Sequence, residues 1–72
     1  MYISWIIPTY NEEKLIEKTI REVDAYLKSK NFPGGYEILV ADSSSKDRTQ
    51  TIVRNLQPQV YNLQLLAVEN KG

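Results

Sequence analysis

Apolar positions along the chain fall into two periods, and their alternation lays out the elements. Tyr2 to Ile7 is a short uncharged run of β-branched and aromatic residues, which predicts a buried strand. Pro8 has no backbone N–H to give a ladder, so the strand is expected to end there. From Glu12 to Lys30 the apolar residues are Leu15, Ile16, Ile20, Val23 and Leu27, with Thr19 and Tyr26 flanking, one stripe of an amphipathic helix. Thr9 followed by Glu12 matches a capping box, and Asn11 is a competing N-cap. Glu12 and Glu13 in the first turn and Lys28 and Lys30 in the last suit the helix dipole, while Glu17 and Arg21 are spaced as an i, i+4 pair. Asn31-Phe32-Pro33-Gly34-Gly35 breaks the helix.

Tyr36 to Ala41 reads as a second strand, and its nearly continuous apolar character predicts cover on both faces. It ends at Asp42. Ser44 or Ser45 is positioned to cap a second helix with Asp47 in its first turn and Ile52, Val53 and Leu56 on its apolar side. Gln57-Pro58 closes that helix, Leu63 to Val68 reads as a third strand, and residues 69–72 as a loop. The order is β-α-β-α-β. It predicts the α/β class, with helices packed on a parallel sheet through right-handed crossovers.

A parallel sheet brings the carboxyl ends of its strands to one edge, so Pro8 to Glu12, Asp42 to Ser45 and Asn70 to Gly72 are expected on one rim. The strand-to-helix turn at Pro8 would leave backbone N–H groups and a partial positive charge there, where phosphate-bearing ligands bind in α/β proteins. An ordinary turn is the alternative. Asp42 closes a buried strand, so its carboxylate needs either local hydrogen-bond partners or a ligand; an Asp that caps its own loop is the plainer reading.

Composition narrows the chemistry. Seventy-two residues make one small domain or a piece of one, and 42% hydrophobic content is globular in character. Nine basic and nine acidic side chains cancel, so no overall field favours nucleic acid or an anionic membrane. Without cysteine or histidine the chain has no disulfide, thiolate, Ser-His pair or imidazole ligand of its own. Met1 leads straight into the first strand without a basic leader, and no apolar run approaches the ~20 residues of a membrane span; a cytoplasmic location is the expectation.

Three segments together carry a resemblance: Ile6-Ile7-Pro8-Thr9-Tyr10-Asn11-Glu12-Glu13, then Tyr36 through Asp42 to Thr49, then Glu69-Asn70-Lys71-Gly72. In order and spacing they look like the amino-terminal half of the family 2 glycosyltransferases of the GT-A fold, most like dolichyl- or polyprenyl-phosphate mannose and glucose synthases. The resemblance spans essentially the whole chain. It implies that residues 1–72 are the amino-terminal part of a family 2 catalytic domain, a β-α-β-α-β half of a Rossmann-like GT-A domain. The activity implied is transfer of a hexose from a UDP- or GDP-sugar to an acceptor such as a polyprenyl phosphate, with a membrane-associated parent enzyme.

By that resemblance Pro8, Thr9, Tyr10 and Glu12 would contact ribose and base. Asp42 would accept from the base with Ser44 beside it, and Asn70, Lys71 and Gly72 would begin the segment approaching the diphosphate. A carboxylate accepting from a uracil or guanine N–H agrees with this. The family often shows Asp-Asp-Gly-Ser where this chain has Asp42-Ser43-Ser44-Ser45, so the second acid and the glycine are missing, and Arg48 stands where glycine is frequent. The family's Asp-x-Asp metal motif is also missing, since Asp24, Asp42 and Asp47 are the only aspartates. Mg²⁺ or Mn²⁺ is therefore expected for the full-length enzyme and no metal ligand or catalytic residue is assigned here, so the 72 residues alone are expected to be inactive.

Two other readings compete. A noncatalytic nucleotide-binding or oligomerising module could use the same half-fold. A flavodoxin-like or dehydrogenase domain would need an acidic cluster or Gly-x-Gly-x-x-Gly after the first strand, which Pro8-Thr9-Tyr10-Asn11 does not supply. A small sheet with an uncovered edge is expected to self-associate.

Overall fold

The computed structural model describes residues 2–68. Elements follow the expected order: β1 (Ile3–Thr9), α1 (Ile16–Lys30), β2 (Tyr36–Asp42), α2 (Thr49–Leu56) and β3 (Leu63–Ala67). The sheet is parallel throughout, with β2 between β1 and β3. With this strand order, right-handed crossovers, the rule for parallel strands, put both helices on one face. The core lies there: Ile7, Ile38, Val40 and Leu63 from the sheet meet Ile16, Ile20, Leu27, Val53 and Leu56 from the helices.

Three expectations about the elements are corrected. First, β1 runs through Pro8 to Thr9. The Ile3 N–H donates to Gly35 O towards β2, and alternation along the strand then turns the nitrogen of Pro8 to the open edge. No ladder bond is lost, which is why an edge strand tolerates proline.

Second, the uniform apolarity of β2 does not mean equal cover. Tyr36, Ile38, Val40 and Asp42 are buried beneath the helices, whereas Glu37, Leu39 and Ala41 on the other face are half-buried. That second face continues through Ile6 and Leu66, 58% and 50% exposed, which flank it on β1 and β3. Beyond Glu37 this face is largely apolar, and no layer covers it among the described residues.

Third, both helices begin later than their sequence signals. A turn at residues 13–15 precedes α1, with the Ile16 N–H reaching Glu12 O at 2.8 Å. Leu15 falls before the first full turn and is 57% exposed instead of joining the core stripe. The helix then ends as expected, with Asn31 in the left-handed conformation and Lys28 and Lys30 in the last turn, and Arg21 pairs with Glu17 at 2.9 Å. Neither Ser44 nor Ser45 caps α2, which starts at Thr49 after an Asp47 that accepts from the Thr49 N–H.

Candidate functional site

The carboxyl tips of β1 and β2 lie side by side, as the parallel order requires. Thr9 and Asp42 are partners in the β1–β2 register, and both face the helices at the upper end of the apolar core. Asp42 is fully buried. A carboxylate in that position must be surrounded by donors, and it is. Oδ1 accepts from the Thr9 hydroxyl at 2.7 Å and from the Ser45 hydroxyl at 2.5 Å. Oδ2 accepts from the Ser45 backbone N–H at 2.8 Å and from the Gln50 amide at 2.7 Å. Burial pushes the carboxyl up, yet the Ser45 hydroxyl, the Gln50 amide, the Ser45 N–H and the Thr9 hydroxyl outweigh it and hold Asp42 below its ordinary range. The ionised form is the native one.

The loops above these tips are laced together. Asn11 donates its N–H to the Ser45 hydroxyl at 2.8 Å, and its side-chain oxygen accepts from the Lys46 N–H at 2.8 Å. The Glu12 N–H reaches Thr49 Oγ1 at 2.8 Å, and the Glu13 N–H reaches Asp47 Oδ2 at 3.2 Å. Asp47 Oδ1 in turn accepts from the hydroxyl and N–H of Thr49. These bonds replace the predicted capping box: Thr9 turns to Asp42, Asn11 turns to the other loop, and the start of α1 is capped by groups more than 30 residues away. The free N–H groups expected after Pro8 are therefore not free. Those of Asn11, Glu12 and Glu13 are each satisfied within the chain.

Two residues sustain this path in the left-handed region without being glycine, Asn11 at φ 51° and Ser44 at φ 56°. Ser44 occupies the position at which the resembling family often has glycine. Its hydroxyl donates to Val68 O at 2.9 Å, joining the β2 tip to the end of β3.

Of the residues singled out from sequence, Pro8, Thr9 and Glu12 line one cavity between the open edge of β1 and the start of α1, completed by Ile7, Leu15, Ile16 and Thr19. Tyr10 is half exposed where β1 ends, and Asp42 sits behind Thr9. Ser44 lies on the β3 side of Asp42, and Lys71 is outside the described residues, as is the Asn70 to Gly72 share of the rim. Ser45, Thr49 and Gln50 were not singled out for the roles they have here. The Asp42–Ser45 spacing is a legible loop-capping signal; nothing local marks Gln50.

The model for glycosyl transferase family 2 matches residues 4–72. The chain belongs to that family. Among curated relatives of this family 2 chain is a dolichyl-phosphate beta-glucosyltransferase of Trichomonas vaginalis, 36% identical over 69 residues, covering 92% of this chain and 21% of the relative. A dolichol-phosphate mannosyltransferase of Pyrococcus furiosus is 45% identical over 49 residues, 68% of this chain and 13% of that one. A solved mannosyltransferase of Pyrobaculum calidifontis, in complex with GDP-Man and Mn²⁺, aligns with a TM-score of 0.69 and 32% identity over 97% of this chain and 20% of its own. The chain thus spans about a fifth of the length of such relatives, and its α/β fold is shared with that mannosyltransferase.

Proposed function

We propose that the β1–β2 rim is the nucleoside end of a donor site for a UDP- or GDP-sugar, within a hexosyltransferase whose acceptor is a polyprenyl-type lipid phosphate. The observation that carries this is the convergence of Pro8, Thr9 and Glu12 on one cavity with Asp42 directly behind Thr9. The Pyrobaculum neighbour with GDP-Man bound and the dolichyl-phosphate relatives support the choice of donor and acceptor class.

Pro8 and Glu12 bound the base and ribose, and Tyr10 offers an aromatic face at the open side. Thr9, its hydroxyl committed to Asp42, fixes the acid that accepts a base N–H. Ser44 keeps the β2 tip against β3 beside that acid, and Lys71 is proposed to approach the diphosphate. The reaction joins an acceptor oxygen to the anomeric carbon as the nucleoside diphosphate leaves. In the family Mg²⁺ or Mn²⁺ neutralises that leaving group. The described residues do not fit such an ion: no three acidic, histidine or cysteine side chains among them cluster to hold one. Donor binding, rather than turnover, is accordingly the function proposed for this stretch.

Titration of the chain with UDP and GDP, followed by amide shift changes, tests this. Backbone amide changes centred on residues 8–12 and 42–45 are expected, and Tyr10→Ala should weaken binding about fivefold or more, the lower end for an aromatic stacked on a base. Flat spectra with both nucleotides at millimolar concentration would refute the reading.

A further inference from the structure

Asp42 poses a problem for any nucleobase. All four of its acceptor positions hold protein donors, and the residue is fully buried. A base N–H reaches the carboxylate only if one donor leaves. Three of the four are fixed: a backbone N–H and the short-stemmed hydroxyls of Thr9 and Ser45, which other bonds and the sheet hold in place. The fourth is the Gln50 amide, on a long rotatable side chain in the first turn of α2, only half-buried. Its oxygen accepts from Arg54 Nη2 on the exposed side of the helix only at 3.5 Å, a long bond that does little to hold the amide on Asp42.

We propose that Gln50 is a displaceable stand-in for the nucleobase, its amide holding the acceptor position on Asp42 Oδ2 that a base N–H takes when the donor binds. The inference rests on the donor-site reading and adds a residue to it. A primary amide N–H and the ring N–H of uracil or guanine are the same class of donor, so one carboxylate oxygen serves both. The exchange keeps the buried charge satisfied in both states, sparing the desolvation that an open, unpaired Asp42 would cost. Gln50 is a positioning residue, since it touches Asp42 in the free chain and withdraws from it in the complex.

The test uses the 72-residue chain with UDP and GDP as probes. The side-chain NH2 pair of Gln50 is followed in ¹⁵N–¹H spectra, and affinities are compared for wild type, Gln50→Leu and Gln50→Ala, two variants of different bulk in case one fails to fold. The Gln50 pair should move towards solvent-exposed amide positions as nucleotide is added. Both variants should bind about tenfold tighter, the factor one hydrogen bond to a charged group represents. Binding by wild type that leaves the Gln50 pair unmoved, or that the variants leave equal or weaken, overturns the inference while the donor site stands. Absence of binding in all three overturns both.

Discussion

The Thr9 hydroxyl donates to Asp42 Oδ1 at 2.7 Å, and the same two residues are paired across the parallel ladder. One contact therefore closes the core, joins the tips of two strands and fixes the acid around which the loops are arranged. Fold stability and site geometry are coupled through it.

Removing members of the network separates its parts. Thr9→Val keeps the shape and deletes one of four donors to a charged group, so it should cost about 1.5 kcal/mol. Asp42→Asn turns an acceptor atom into a donor against donors and should cost about 3 kcal/mol. A core of this size supplies only ~3–5 kcal/mol, so the second variant should be left with about 0–2 kcal/mol and fold only marginally, while the first stays folded. Urea denaturation followed by circular dichroism checks the ranking, and equal losses would contradict it.

Acid should loosen the fold in a defined direction. Asp42 titrates below its ordinary value of 3.8 because donors outweigh burial. As pH falls, the unfolded chain takes up its proton first. The stability Asp42 contributes is therefore complete above that value and is lost as pH falls below it and through the folded one. Urea midpoints measured from about pH 5 to about pH 3 should fall in wild type, and less steeply in Thr9→Val, which has one donor fewer to depress the carboxyl. A midpoint that rises on acidification would show the opposite linkage.

Ser44 tests backbone strain at the β2 tip. At φ 56° a side chain is disfavoured, and replacement by glycine relieves this whereas alanine does not. Both variants lose the hydroxyl bond to Val68 O. Ser44→Gly should therefore be more stable than Ser44→Ala by about 1 kcal/mol in thermal melts. Equal stabilities would mean the residue does not hold this conformation in solution.

The uncovered face makes an association prediction. Ile6, Leu39 and Leu66 form an apolar row on the side of the sheet away from both helices, next to the open edges of β1 and β3. The chain should self-associate through this face, giving a sedimentation coefficient that rises with concentration, and Leu66→Lys should shift the equilibrium towards monomer. A sharp monomer at all concentrations would contradict this.

The residues explain which features could be read in advance. Element order, the parallel sheet and the placing of the β1 and β2 tips on one rim follow from hydrophobic periods and crossover geometry, both local or topological rules. The capping scheme was hidden because it is not local. Thr9-x-x-Glu12 has the spacing of a capping box, but Thr9 faces a buried carboxylate that needs it more, and Thr49 and Asp47 reach Glu12 and Glu13 from the next loop. The left-handed turn at Ser44 was obscured because a serine stands there instead of the glycine that would have announced it. Gln50 gave no signal, since a glutamine at a helix start looks like any solvated residue until the fold sets Asp42 beside it.

That two strand tips present a single nucleoside site is tested most directly by isotope-filtered nuclear Overhauser contacts between a nucleotide and the labelled chain. With UDP or GDP in millimolar excess, base and ribose protons should show contacts to the Pro8 ring, the Tyr10 ring and the backbone amide of Ser45. Contacts confined to the Ile6–Leu66 face, or none with either nucleotide, would contradict the account.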